Sequence, residues 1–203
     1  MLYSFGATNV DGNQPASGLI QGSDGTFYGL TLSGGQAGSG TFFSFTAAGG
    51  ETVLYSFGVS SYDANYPIGE LVLGADGNFY GGSQTGGMYG NGTIFEVTPA
   101  GVESVLYSFG ATSTDGYIAG GPLLIGGDGN FYGTTVYGGT NGSGTIFVVT
   151  PAGVETVLYS FGGTSADGAN PYGGLILGTD GVLYGTASAG GAGGNGTVFR
   201  FGP

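Results

Sequence analysis

Hydrophobic and polar positions along this chain alternate over short runs, glycine breaks the runs every few residues, and the whole pattern returns every 52 residues. The third copy illustrates one unit. Alternation and β-branched content predict four short strands: A at Leu123–Ile125, B at Phe131–Thr135, C at Thr145–Thr150 and D at Glu155–Phe161. Gly127-Asp128-Gly129 turns A into B, since Asp-Gly between apolar runs is a strong hairpin signal. A loop with Gly138, Gly139 and Gly142 joins B to C, Pro151-Ala152-Gly153 turns C into D, and the linker Gly162–Gly173 leads to the next unit. Along strand C, Phe147 and Val149 oppose Ile146 and Val148; along strand D, Val157, Tyr159 and Phe161 oppose Leu158 and Ser160. Both faces are largely apolar, as expected of a sheet packed between two neighbours. No stretch carries a helical period with caps.

The columns are strict. Tyr3, Tyr55, Tyr107 and Tyr159 repeat, as do Phe43, Phe95, Phe147 and Phe199. A period of this length outranks local propensity and signals a repeat architecture. Four antiparallel strands repeated radially make the blade of a β-propeller. The predicted fold is therefore all-β, one domain over residues 1–203, with four four-stranded antiparallel blades at about 18–58, 70–110, 122–162 and 174–201 plus 1–6. The fourth copy stops after strand C, while Leu2–Phe5 falls in the strand D column. Pairing of that N-terminal strand with the last blade closes a four-bladed ring and hides its edges. The same strand can instead pair with a second molecule, giving an eight-bladed ring of two chains or a head-to-tail chain.

Composition narrows the function. Glycine supplies 50 of 203 residues, a content that suggests disorder when aperiodic, yet 14 Tyr and 14 Phe accompany few charges. Glycine here punctuates structure: most of its repeating columns fall at strand ends and turns, where positive φ is needed. The Gly29 column lies inside strand B, where a bend or a close approach between blades is expected. With no Cys, no His and a single basic residue, Arg200, against 13 acidic ones, thiolate chemistry, nucleic-acid binding and docking on anionic lipid are excluded. No apolar run is long enough for a transmembrane helix. Met1–Gly6 lacks the basic and apolar regions of a signal peptide.

The unit Leu-Tyr-Ser-Phe-Gly, Asp-Gly-Xaa-Phe-Tyr-Gly, Gly-Thr-Ile-Phe, Thr-Pro-Ala-Gly is carried by Leu54–Gly58, Asp76–Gly81, Gly92–Phe95 and Thr98–Gly101. It resembles the Gloeo/Verruco (GloVer) tandem repeat of bacterial exported proteins over essentially the whole chain. The resemblance implies a secreted or cell-surface setting and implies no biochemical activity.

All eight aspartates fall in two columns. Asp24, Asp76, Asp128 and Asp180 lie in A-to-B turns, where Asp before Gly accepts local backbone hydrogen bonds. Asp11, Asp63, Asp115 and Asp167 lie in D-to-A linkers with Asn9, Asn13, Asn65 and Asn170 nearby, which makes them candidate calcium ligands. No other cofactor is called for. Strand alternation assigns Glu51, Glu103 and Glu155 to the face of the turn aspartates. Fourfold repetition gives the acids like environments, whereas acid–base catalysis needs divergent ones; with no triad or phosphate loop, a hydrolase is the weakest reading and no catalytic residue is assigned. Tyr62, Tyr66, Tyr89, Tyr117, Tyr137 and Tyr172 break the period and fall in D-to-A or B-to-C segments. Aromatic platforms beside Asn, Asp and Gly suit sugar rings and hydroxyls. The leading expectation is a non-catalytic binding module with carbohydrate as ligand. The alternative is a self-assembling structural scaffold that joins copies through its terminal blade.

Overall fold

The structure, a computed structural model, describes residues 1–15 and 17–202, and among them there is no helix. Four antiparallel sheets follow one another along the chain. In each, strand A pairs with B and B with C; strand D pairs with C in the first three. Strand B runs at Phe27–Thr31, Phe79–Gly86, Phe131–Gly138 and Leu183–Ala187, and strand C at Thr41–Phe45, Thr93–Val97, Thr145–Val149 and Thr197–Phe201. Strand D is Glu51–Ser56, Glu103–Ser108 and Glu155–Ser160. Strand A is only Ile20–Gln21, Leu124–Ile125 and Ile176–Leu177, but Ala64–Leu73 in the second unit, where the linker is extended as well. Short linker strands reach strand B or its loop in the other units, as Gly12 does opposite Gly34 and Gly116 opposite Gly138.

Successive sheets stack in a propeller-like order through three hydrophobic clusters, one per junction. Each unit has a trailing face toward its successor and a leading face toward its predecessor. At the first junction Tyr28 and Phe42 of the trailing face meet Phe79 of the leading face, with Tyr28 and Phe79 ring centroids 4.5 Å apart. Tyr80 meets Phe131 at 4.4 Å in the next junction. A second aromatic series comes from the residue just past strand D: Phe57 on Phe95 at 5.0 Å, Phe109 on Phe147 at 5.2 Å and Phe161 on Phe199 at 4.9 Å. Burying each such ring contributes roughly 1.5–3 kcal/mol.

The Gly29 column has a cause different from the expected one. A Cβ on Gly133 would lie 2.6 Å from Phe147 Cζ, an atom of the adjacent strand of the same sheet. Glycine there makes room for the strand C ring within a unit. Junctions are also pinned by backbone hydrogen bonds. Tyr66, Ile118 and Asn170 have φ of 53°, 60° and 54°, and their N–H groups donate to the carbonyls of Ser39, Asn91 and Ser143 in the preceding unit at 2.8–2.9 Å. The junction holds these non-glycine residues in a region they otherwise avoid.

The expected closure of the ring by the N-terminal strand is not formed. The fourth sheet has three strands, and residues 1–6 belong to no strand. They lie on the first unit instead. Phe5 packs on Phe43 at 5.0 Å, continuing the series of Phe57 on Phe95. The Leu2 carbonyl faces Gly49 as that of Leu54 faces Gly101. Residues 1–6 thus occupy the place of a preceding unit's strand D. The packing agrees with this: among the described residues no hydrophobic cluster joins the fourth unit to the first. The outer edge of Thr197–Phe201, which carries the exposed Arg200, has no partner strand.

Candidate functional site

The linker loops gather around the four linker aspartates. Asp115 Oδ2 accepts hydrogen bonds from the Tyr107 hydroxyl at 2.7 Å and from the N–H groups of Gly110 and Ala111 at 2.7 and 3.0 Å. Asp11 receives the same trio from Tyr3, Gly6 and Ala7, and Asp167 from Tyr159, Gly162 and Gly163. Asp63 accepts from Tyr55 and from the Val59 N–H. In Asp115 and Asp167 the second oxygen accepts the next N–H as well. The carbonyls of all four accept from Gly35, Gly87, Gly139 and Gly191 of the adjoining B-to-C loop. Asp11, Asp63 and Asp115 are buried. A buried carboxylate is stabilised by converging charge-assisted donors. Those donors converge on Oδ2 of each aspartate, and no group of three or more His, Cys, Asp or Glu side chains suited to a metal occurs among the described residues. The arrangement fixes loop geometry.

The three glutamates lie elsewhere than expected. They do not join the turn aspartates; their carboxyls reach back to the linker set. Burial, then the Asp63 carboxylate, pushes Glu103 up to about 8. Burial and Asp115 push Glu155 up to about 7, and burial and Asp11 raise Glu51. Oε1 of all three glutamates, with Oδ1 of Asp11 and Asp63, is buried without a hydrogen-bond partner. The same neighbours act on the tyrosines: burial, then its bond to Asp11, lifts Tyr3 to about 12. Burial and a second carboxylate nearby both favour the protonated form of each glutamate. The fourth aspartate, Asp167, has no glutamate among the groups that act on its Tyr159 partner.

The turn aspartates behave as expected. Asp128 accepts from the Asn130 N–H at 3.1 Å and from Tyr132 at 2.9 Å, and these contacts hold its carboxyl below the usual range. Asp24, Asp76 and Asp180 bond in the same way.

Of the six singled-out tyrosines, Tyr62, Tyr66, Tyr89, Tyr137 and Tyr172 are exposed and Tyr117 is half-buried. Tyr117 stands directly opposite Tyr137 in the ladder between Gly116–Ala119 and Phe131–Gly138. Tyr172, on the linker into the fourth unit, lies close enough to Tyr137 for that neighbour to raise its hydroxyl pKa. Three of the six therefore form one group at the third junction. Tyr62 and Tyr66 stand on the linker into the second unit, and Tyr89 on its B-to-C loop.

Sequence reasoning missed a set of equivalent clefts at the turn end of the junctions. One of about 390 Å³ lies between Tyr28, Leu73, Phe79 and Pro99. Others of about 300 and 360 Å³ include Tyr80, Phe131 and Pro151, and Tyr132, Leu158, Leu183 and Phe201. They are lined mainly by apolar side chains. The turn aspartate and proline columns flanking one apolar column are the only trace of them in the sequence.

The Gloeobacter/Verrucomicrobia repeat matches residues 1–199 of the chain. No curated protein matches it. Among solved structures, a Bacteroides thetaiotaomicron protein of unknown function is 15% identical with a TM-score of 0.58, over 91% of this chain and 46% of that one. The extracellular domain of a hybrid two-component system from the same organism is 11% identical with a TM-score of 0.56, over 91% and 21%. A Bacteroides uniformis protein described as a 6-phosphogluconolactonase is 12% identical with a TM-score of 0.53, over 98% and 56%. The chain spans about half or less of the length of these proteins, and at such identities they establish the all-β, propeller-like fold alone.

Proposed function

We propose that the chain, which belongs to the Gloeobacter/Verrucomicrobia repeat family, is a non-catalytic binding module that works outside the cell or on its surface, with carbohydrate as its ligand class. The observation that carries this is the tyrosine group at the third junction: Tyr117 opposite Tyr137, with Tyr172 beside Tyr137. These rings stand on loops whose backbone is fixed by Asp115 and Asp167, so the platform is preorganised and little ordering entropy is lost on binding. Aromatic faces with a few polar groups suit sugars. An extracellular setting agrees with the extracellular domain found among the structural neighbours.

Carboxyls that come together here, Asp63 with Glu103 and Asp115 with Glu155, interact in buried surroundings. That position supports a structural role over glycoside hydrolysis, which needs two carboxylates flanking an accessible bond. The test is a glycan array followed by saccharide titration, with and without calcium. Tyr137→Ala and Tyr172→Ala are expected to weaken binding about tenfold each, the order of one lost stacking or hydrogen-bond contact, and Tyr62→Ala to leave it unchanged. A folded protein that binds no saccharide under either condition refutes the reading.

A further inference from the structure

We propose that the trailing face of the fourth unit docks onto the leading face of the first unit of a second copy of this chain, and that two such head-to-tail contacts close an eight-unit ring. Val198 is 81% exposed, whereas Ile146, Ile94 and Phe42 in its column are 1%, 0% and 0% exposed. Ile176 and Leu177 beside it are exposed too. At the other end, Leu19 is 56% exposed, whereas Leu71, Leu123 and Leu175 are each 5% exposed. These are the two halves of one contact that the chain already makes three times, with the same columns on each side. Exposed apolar patches of this kind mark interaction surfaces.

The backbone is matched as well. Strand C of the third unit pairs with strand D through Thr145–Ser160, Ile146–Tyr159 and Phe147–Val157. The equivalent edge of Thr197–Phe201 is unpaired. Leu2–Phe5 repeats the Leu-Tyr-Ser-Phe of Leu158–Phe161 and is already seated on the leading face of the first unit through Phe5 and Phe43. A second copy arriving there brings a strand for the open edge and an apolar face for Val198 in one step. The contact is heterologous, so it either closes or propagates. Two copies supply eight units, within the four to eight blades of closed propellers.

Light scattering and sedimentation from micromolar to millimolar concentration test this. The expected species is a dimer of twice the 19.9 kDa chain mass. Val198→Glu and Leu19→Glu, both at exposed positions, are each expected to give a monomer with an unchanged circular-dichroism spectrum. Mixing the two variants is expected to restore a dimer, because the intact trailing face of one meets the intact leading face of the other. A wild-type monomer at every concentration overturns the proposal, and so does a mixture that stays monomeric while the wild type dimerises. A ladder of species beyond two copies overturns the closed ring. Saccharide binding is read separately, so failure of association and failure of the carbohydrate reading are distinct results.

Discussion

The third and fourth units share the framework residues of the repeat and have different interiors. Strand C reads Thr-Ile-Phe-Val-Val at Thr145–Val149 and Thr-Val-Phe-Arg-Phe at Thr197–Phe201. Both pair with strand B in the same register, Phe131 with Val149 and Leu183 with Phe201. Yet every residue of the third strand except Val148 is buried, and none of the fourth is. Strand pairing is therefore local to the unit, while full burial needs both the unit's own strand D and a following unit, which the third has and the fourth lacks. A repeat of this kind has a hydrophobic core only at its junctions, as expected when stability is a sum of units and nearest-neighbour contacts.

The largest test of that contrast is ring deletion. Phe147→Ala is expected to cost about 3–5 kcal/mol in denaturant unfolding, the usual range for a fully buried ring, and Phe199→Ala about half of that. Equal losses would break the comparison.

The carboxyl pairs give the next effect. Glu103 and Glu155 have folded pKa values raised above the ordinary 4.5. Their stabilising contribution is full below about pH 4.5 and is lost as the pH rises through about 7 for Glu155 and about 8 for Glu103. The melting temperature is expected to fall across that window. Glu103→Gln should flatten the fall, worth about 2 kcal/mol once partial solvent exposure is discounted. Hydrogen exchange should place the pH-dependent loss at the junctions that hold these pairs and leave the Asp167 loop unaffected.

A smaller effect makes the fourth unit resemble the third. Thr135 and Thr145 share a buried hydrogen bond at 2.8 Å. In the fourth unit Ala187 faces Thr197, whose hydroxyl is buried without a partner. Ala187→Thr should add about 1 kcal/mol by satisfying it, measured by thermal unfolding. The smallest expected change is at the positive-φ column, where the third unit has Ile118 and the fourth has Asn170. Ile118→Asn should stabilise by about 0.5 kcal/mol, because Asn tolerates the left-handed region better than a β-branched residue.

Much of this architecture is legible in the sequence. The period, the four strands of a unit and the Asp-Gly turns follow from alternation and turn chemistry, and the Asp128 contacts match that reading. The glutamates do not. Strand alternation assigns Glu103 to the turn face, but the C–D ladder slips between Val105 and Tyr107, and a long side chain at the strand start reaches a carboxyl in a distant linker. The fate of Leu2–Phe5 was equally hidden. Its sequence says strand D, but its placement depends on whether the fourth unit meets the first, a matter of junction geometry that no single unit encodes. Of the tyrosines, the column breaks identify all six, while the grouping of Tyr117, Tyr137 and Tyr172 depends on a linker crossing between units.

The free outer strand has one further consequence. Arg200, the sole basic side chain, lies exposed on that edge, so the chain offers a trypsin-like protease a single cleavable bond, at the margin left open when no strand covers it. Resistance to digestion there becomes a direct gauge of whether that margin is occupied.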